Sequence, residues 1–190
     1  MARVSDIELE HTSGRAHEIY ARIQGEYGPF GNMLRVFAHR PPALEHIFGL
    51  LLDSKADALI SKRHLEIVLV TASAANACAY CVSHHAPRLI AEGLPAEAAD
   101  RILEAQVPGF DALDHLVRDY AVQVSRDARR VSDALFEGLR AHFSEAQVVE
   151  LTVRAALCAF FSRFNEALRI DVEEDVLALE LTPPDHSVAA

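Results

Sequence analysis

The sequence predicts an all-α helical bundle, and three observations carry that prediction. Apolar residues recur three and four positions apart along much of the chain, most clearly over residues 113–124, as on one face of an amphipathic helix. Prolines open several apolar runs, among them Pro41 and Pro95, where the first turn of a helix accepts them. The sequence has no tight-turn residue pair between two runs of alternating apolar and polar residues, the pattern typical of a β-hairpin.

The predicted elements follow in chain order from the same signals. Turns are expected at residues 28–31 and 107–109, where Gly and Pro cluster. Ser144 and Gln147 have the spacing of a capping box at the start of the last helix. The predicted helices cover about residues 12–25, 41–59, 61–77, a motif helix that follows residue 76, then 95–105, 113–124, 131–143 and 144–168.

Residues 67–71, Ile-Val-Leu-Val-Thr, also fit a buried strand, because most of them are β-branched. The residues on both sides are compatible with a continuous helix, and the sequence offers no second strand for pairing. We therefore assign this segment to the helix predicted over residues 61–77.

Length and charge limit the classes of function. A chain of 190 residues with 51% hydrophobic content predicts one domain over residues 1–190, with a core that needs no covalent staples. A net charge of -10 argues against a nucleic-acid partner, which requires a basic face. The chain starts without an apolar leader and has no run near the ~18 apolar residues of a membrane span. We therefore expect a cytoplasmic protein with no membrane partner.

The most informative feature is a Cys-x-x-Cys pair, Cys78 and Cys81, followed by His85. With 3 cysteines in all, the chain does not have the even, larger set of a secreted disulfide framework, so the pair is predicted to be redox-active or metal-binding. On a helix these three positions fall within roughly 60° of one another. Thiol chemistry needs a thiolate, a base that takes its proton and a second sulfur that closes a disulfide.

Glu66 is the fourth candidate, a lone carboxylate within an apolar run. Partial burial would require a partner, and a histidine partner would be held in the tautomer that accepts a proton. Asn76 is the expected N-cap of the motif helix, which would place Cys78 in the first turn. There the helix dipole favours a thiolate, so Cys78 is expected to be the more exposed thiol, with the lower pKa.

Neighbouring residues are predicted to be structural. His84 points away from the cysteine stripe and is expected at the surface, whereas Tyr80 is expected to pack at the helix start. Cys158, in the late apolar helix, is expected in the core. Pro87 lies inside the motif helix and is expected to kink it, which would re-aim His85.

The cysteine pair also fits interpretations other than thiol catalysis. Two buried core cysteines are one, and a zinc site whose fourth ligand would be distant, such as His84 or His46, is another. A c-type haem site is excluded because Val82 follows the second cysteine. A strand at residues 67–71 would favour a thioredoxin-like protein disulfide oxidoreductase, although βαβ units are missing. A non-enzymatic redox switch that changes assembly also stays open.

The stretch from Glu66 to His85 resembles the alkylhydroperoxidase D-like members of the carboxymuconolactone decarboxylase superfamily, whose signature is a glutamate followed by Cys-x-x-Cys-x-x-x-His. Residues 34–41 and 164–168 add weaker likeness, so the resemblance touches most of residues 28–172. It implies an all-α fold that assembles as trimers or hexamers. Long apolar faces, such as that of residues 148–161, independently predict a homo-oligomer.

The resemblance also implies a role for each candidate. Cys81 resembles the peroxide-attacking thiol, Cys78 the resolving thiol, and His85 with Glu66 the proton relay. Tyr80 stands where the best-known alkylhydroperoxidase has a second histidine. The implied function is thiol-dependent reduction of alkyl hydroperoxides in antioxidant defence, through a Cys78–Cys81 disulfide and without a cofactor. An external dithiol, on a lipoyl-bearing or thioredoxin-like protein, would restore the thiols.

A weak internal repeat is the last feature of the sequence. Glu150 precedes Ser162 and Asn165 by the spacing that separates Glu66 from the two cysteines. We interpret this echo as an ancient duplication whose second copy has lost its thiols.

Overall fold

The computed structural model describes residues 2–28 and 30–176, and the regular elements within them are all helical, which confirms the predicted fold class. Residues 177–190 and Pro29, which belong to the predicted domain and to a predicted turn, lie outside the described residues. The helices are α1 (Gly14–Tyr27), α2 (Gly31–Phe37), α3 (Pro41–Ala43), α4 (Gly49–Asp57), α5 (Lys62–Ala75), α6 (Ala79–Ala91), α7 (Ala96–Asp100), α8 (Ala112–Asp127), α9 (Asp133–Arg140) and α10 (Glu145–Leu168), with 3₁₀ turns at Leu9–His11 and Ala128–Arg130 and a π-helical segment at Leu44–Phe48.

Most predicted helices are present with shifted ends. Residues 67–71 belong to α5, so their assignment to a helix is confirmed. The helix predicted over 95–105 stops at Asp100, and turns follow it. The predictions missed α2, whose seven residues are too few for a periodic pattern. They also missed the π-helical segment Leu44–Phe48, which interrupts the helix predicted over 41–59.

The described chain divides into two compact units, and each has buried apolar residues of its own. One unit combines residues up to 59 with residues 165–176, and the other covers residues 60–164. In the first unit Phe37 and Phe48 meet edge to face, with ring centroids 5.0 Å apart. Its largest fully buried side chains include Tyr20, Ile23, Leu34, Phe37, Leu44, Phe48 and Leu52.

In the unit of residues 60–164, α5 packs along both α6 and α8. Each large apolar side chain that is fully buried there contributes about 1.5–3 kcal/mol, so α5 and α6 are firmly anchored. The turn that joins them is therefore held from both sides. The buried apolar cluster includes Ile67, Val68, Val70, Val82, Leu89, Val117, Leu139 and Leu151.

The turn between α5 and α6 is a Schellman motif. The amide of Cys78 donates to the carbonyl of Ser73 and the amide of Ala77 donates to that of Ala74, each at 3.0 Å. Ala77 takes the left-handed conformation, with φ of 54°, that such a turn requires. Asn76 ends α5, and its side-chain amide donates to the carbonyl four residues earlier. The prediction that Asn76 caps the motif helix is therefore wrong.

The start of α8 illustrates a complete N-terminal cap. Asp111 is the N-cap and its carboxylate accepts from the amide of Asp114 at 2.8 Å, while the amide of Asp111 donates to Asp114 at 3.0 Å. Arg63 on α5 binds the same Asp114 carboxylate, with Nε 3.1 Å from Oδ1. This cluster ties α8 to α5.

The internal repeat stays a prediction. The chain breaks between α5 and α6 at residues 76–78, which include the first cysteine, whereas α10 runs unbroken through the corresponding Ser162 and Asn165. None of the helices in the described parts of the chain is both long and apolar enough to cross a bilayer.

Candidate active site

The two motif cysteines occupy the first positions of α6. Cys78 is the N-cap, and its sulfur accepts a hydrogen bond from the amide of Cys81 at 3.2 Å. The two residues form a disulfide, with Cα atoms 5.3 Å apart. Cys78 has 0% of its surface exposed and Cys81 has 5%, so the prediction of a more exposed Cys78 is wrong. The cause is the Schellman turn, which directs Cys78 inward beneath the start of α6.

The start of α6 favours negative charge on sulfur once the disulfide is reduced. Amides in the first turn of a helix have no partner within the helix, and the dipole is positive there. The amide of Cys81 already points at the Cys78 sulfur. Reduction of the disulfide therefore leaves two sulfurs at a position that lowers the energy of a thiolate.

Glu66 and His85 form an acid–base pair across α5 and α6. His85 Nδ1 lies 3.0 Å from Glu66 Oε2, and only 9% of the Glu66 side chain and 15% of the His85 side chain are exposed. An ionised Glu66 accepts the proton on Nδ1, which leaves Nε2 as the nitrogen that accepts a proton. His85 also lies one helical turn after Cys81, on the same face of α6.

Cys158 on α10 lies beneath the motif and is buried, as predicted. Its sulfur is 3.2 Å from the hydroxyl of Ser73 on α5. The Ser73 hydroxyl donates to the carbonyl of Leu69 at 2.6 Å, and the Cys158 thiol donates to the same carbonyl at 3.6 Å. Burial raises the pKa of Cys158 to about 11, against the opposing effect of hydrogen bonds with Ser73 and Ser162. Cys158 is therefore a thiol and a weak nucleophile at neutral pH.

Ser162, one turn further along α10, is a site residue that the sequence reasoning did not assign a role. Its hydroxyl lies 3.7 Å from the Cys81 sulfur and donates to the carbonyl of Cys158 at 2.8 Å. The only signal for it in the sequence was the spacing from Glu150, which suggested a repeat rather than a contact.

His84 is buried, so the prediction that it lies at the surface is wrong. Its ring stacks on that of Tyr80, with centroids 4.3 Å apart, and Nδ1 lies 2.7 Å from the Tyr80 carbonyl oxygen. The packing predicted for Tyr80 is therefore present, with His84 as a partner. The reason is that α6 is surrounded by protein on several sides, and Val82 and Ser83 are buried as well.

Pro87 lies within α6, which continues past it to Ala91. The helix therefore carries His85 and the first turn as one element, even though proline lacks the amide that would bond one turn back.

The zinc interpretation lacks a supporting arrangement in the described part of the chain. Within residues 2–28 and 30–176, no three side chains of His, Cys, Asp or Glu are grouped so that they could hold a metal ion. The thioredoxin-like interpretation loses its basis too, because residues 67–71 lie in α5 and are not a strand.

Comparison with known proteins relates this site to one family. Residues 41–118, which include Glu66, both motif cysteines and His85, match the model of the carboxymuconolactone decarboxylase family. Among curated proteins, none matches the chain in sequence.

Solved structures resemble the chain over nearly its whole length. An alkylhydroperoxidase AhpD core, an uncharacterized peroxidase-related protein from Ralstonia eutropha JMP134, aligns with a TM-score of 0.77 at 24% identity, over 96% of this chain and 97% of that one. The debrominase Bmp8, in complex with 2,3,4-tribromopyrrole, aligns with 0.76 at 16%, over 92% and 95%. A peroxidase-related protein from Silicibacter sp. TM1040 aligns with 0.70 at 17%, over 92% and 94%. Likeness at these identities establishes the AhpD-like fold.

Proposed function

We propose that this chain, whose residues 41–118 match the model of the carboxymuconolactone decarboxylase family and whose fold is AhpD-like, reduces hydroperoxides through the Cys78–Cys81 pair. One observation carries the proposal. A disulfide joins the N-cap to the third residue of α6, on the helix that also presents His85 paired with Glu66. A nucleophile, a resolving sulfur and a base with an orienting carboxylate thus come from two adjacent helices.

In the proposed cycle the cysteine pair gives two electrons to each hydroperoxide molecule. The Cys81 thiolate attacks the terminal oxygen of the hydroperoxide, the O–O bond breaks, and the alcohol leaves with one added proton. Cys81 becomes a sulfenic acid. The Cys78 thiol then attacks the Cys81 sulfur, which closes the disulfide and releases water.

His85 and Glu66 serve the proton transfers of this cycle. Nε2 of His85 takes the proton of the Cys81 thiol and later returns it to the departing alkoxide. Glu66 holds Nδ1 and stabilises the charged imidazolium that forms between the two steps. The Glu66 and His85 side chains are largely buried, so the attraction between carboxylate and imidazolium is stronger than it would be in water.

An external dithiol closes the cycle by reducing the disulfide. Both sulfurs are buried, and Cys81 is the more accessible of the two, so the external thiolate attacks Cys81. A lipoyl arm is a slender chain that can enter a narrow opening, whereas a thioredoxin presents its cysteines on a folded surface. The burial therefore favours a lipoyl-bearing protein over a thioredoxin-like one.

The proposal extends to assembly and location. Val149 and Phe160 on α10 are apolar and have 61% and 40% of their surface exposed, which supports a homo-oligomer of trimeric or hexameric form. Light scattering that finds only the 20.9 kDa species at micromolar concentration would contradict this. The proposed place of action is the cytoplasm, where a reducing thiol pool sustains turnover in antioxidant defence.

The test is a steady-state assay with cumene hydroperoxide and dihydrolipoamide. Cys81→Ser is expected to abolish turnover, because the remaining sulfur has no partner with which to close the disulfide. Cys158→Ser is the matched control, since it removes the third buried thiol and is expected to retain turnover within about twofold. Turnover that survives Cys81→Ser would refute the proposal. Redox-dependent elution without any turnover would instead favour a non-enzymatic switch.

Brominated pyrroles are a second substrate class to test in the same assay, because a debrominase has the same fold. Replacement of a carbon–bromine bond by carbon–hydrogen consumes two electrons and a proton and releases bromide. The Cys78–Cys81 pair supplies two electrons per turnover, as in peroxide reduction. Bromide release from 2,3,4-tribromopyrrole that exceeds the hydroperoxide rate would make debromination the main reaction.

A further inference from the structure

Ser162 reaches the cysteine motif from α10, a helix that carries none of the four predicted site residues. Its hydroxyl lies 3.7 Å from the Cys81 sulfur, and the residue is almost fully buried. The same hydroxyl donates to the carbonyl of Cys158 at 2.8 Å. A buried hydroxyl therefore touches the sulfur that the proposed cycle uses as nucleophile.

The direction of this hydrogen bond depends on the state of the sulfur. A disulfide sulfur carries no hydrogen, so in the oxidised protein only the Ser162 hydroxyl can donate. Its one proton is directed mainly to the Cys158 carbonyl, which is the nearer acceptor. After reduction, the Cys81 thiolate competes with the Cys158 carbonyl for the Ser162 proton. The thiolate is the stronger acceptor, because charge-assisted hydrogen bonds are about twice as strong as neutral ones.

We propose that Ser162 is a positioning residue for Cys81: when the disulfide opens, its hydroxyl turns from the Cys158 carbonyl to the Cys81 sulfur and holds that sulfur as a thiolate. The catalytic meaning of this step rests on the proposed function. The hydrogen bond itself is independent of any substrate and can be measured in its absence.

Ser73 provides an internal control for this inference. Like Ser162, it is buried, donates to the carbonyl four residues earlier in its helix, and touches a sulfur. The sulfur it touches is that of Cys158, and not a motif cysteine. Ser73→Ala and Ser162→Ala therefore remove the same group from equivalent surroundings, and only the second removes it from Cys81.

The other titratable groups around Cys81 are present in both variants. They are Cys78 on the same turn, Cys158 on α10, and the pair of Glu66 and His85 on α5 and α6. Both substitutions remove a hydroxyl that hydrogen-bonds Cys158, so any effect through Cys158 is common to the two variants. A change in the titration of Cys81 between these variants therefore reports the serine hydroxyl.

The experiment measures the pH dependence of Cys81 alkylation by iodoacetamide, read by mass spectrometry, in a reduced Cys78→Ser background where serine keeps the N-cap. Ser162→Ala is expected to raise the midpoint pH of Cys81 alkylation by about 1 unit. This shift corresponds to about tenfold less Cys81 thiolate at neutral pH. Ser162→Thr retains the hydroxyl and is expected to stay within a few tenths of a unit. Ser73→Ala is expected to leave the midpoint unchanged.

Three outcomes would overturn the inference. An unchanged midpoint in Ser162→Ala means that no such hydrogen bond forms, and a lower midpoint means that the hydroxyl accepts from the thiol and keeps it protonated. An equal shift in Ser73→Ala means that the effect is general to this core. Alanine is a better helix former than serine, so the variant should fold. A raised midpoint in a protein without peroxide turnover would leave this inference standing and refute the proposed function alone.

Discussion

Two helices of the same compact unit, α6 and α8, both begin at an extended N-cap residue whose side chain accepts from the amide three residues later, but their chemistry differs. In α8 the N-cap Asp111 and the third residue Asp114 accept hydrogen bonds from each other's amides. In α6 Cys78 and Cys81 hold those two positions, and the Cys78 sulfur accepts from the Cys81 amide. The side chains at these positions face each other, so the spacing that builds a capping box also suits a disulfide.

The two caps differ in their chemistry. The cap of α8 keeps its charge, whereas the cysteines at the start of α6 can be oxidised or reduced. Burial alone would raise the pKa of Asp114, but hydrogen bonds from Arg63 and from the Asp111 amide hold it below its ordinary value. Asp114 thus stays ionised beside a permanent cation. The cysteines instead exchange a covalent bond for two thiols, on a helix whose His85 can exchange a proton. The same spacing at a helix start therefore serves either stability or redox chemistry, depending on the side chains it carries.

The largest expected effect is a loss of stability when the cap of α8 is weakened. Asp114→Asn removes the charge that pairs with Arg63 and weakens the cap of α8, and we expect it to lower the free energy of unfolding by about 3 kcal/mol. Urea denaturation monitored by circular dichroism measures this. Peroxide turnover per folded molecule is expected to stay within about twofold. A large loss of turnover in folded protein would show that α8 belongs to the chemistry.

Glu66→Gln should instead lower turnover and leave stability almost unchanged. It keeps the shape of the side chain but cannot stabilise the His85 imidazolium, so we expect turnover to fall by about 10- to 100-fold. The free energy of unfolding should change by no more than about 1 kcal/mol, because the amide still bonds His85. Steady-state kinetics at several pH values provide the measurement. Unchanged turnover at every pH would remove Glu66 from the proton relay.

The comparison of caps is sharpened by two substitutions at Cys78 in the reduced protein. Serine can accept from the Cys81 amide and alanine cannot, so Cys78→Ala should be less stable than Cys78→Ser by about 1 kcal/mol. Thermal denaturation of both variants with excess reductant gives the difference. Equal stabilities would mean that the sulfur of Cys78 does not cap α6.

The smallest effect concerns acid stability, because protonation removes only the charge of Asp114. Its pKa is lower in the folded than in the unfolded chain, so its contribution is complete above the unfolded value of about 3.9 and is lost as pH falls through the folded value. Urea denaturation between pH 5 and pH 2 should therefore show less acid destabilisation in Asp114→Asn than in the parent. Parallel curves would contradict this assignment.

The sequence was sufficient for features that depend on local pattern. Helical periodicity gave the fold class, and the capping box of Ser144 and Gln147 is present at the start of α10. The histidine expected beside Glu66 is His85. Each of these rests on spacing within one helix or on the requirement that a buried charge has a partner.

The errors have tertiary causes. Asn76 is the better N-cap by residue preference, but the Schellman turn uses it to end α5 and leaves the cap to Cys78. His84 is buried because neighbouring elements cover several sides of α6, which a helical wheel does not show. The contact of Ser162 with Cys81 depends on how α10 lies against α6, and no local pattern encodes it.

The central claim is that Cys81 receives the peroxide oxygen and Cys78 resolves the product. The most direct test treats each single mutant with one equivalent of cumene hydroperoxide and then with a sulfenic-acid trap, followed by mass spectrometry. We predict a trapped sulfenic acid at Cys81 in Cys78→Ser, because Cys81 is the more accessible sulfur and lies one helical turn from His85. Trapping only at Cys78 in Cys81→Ser would contradict this assignment and reverse the two roles.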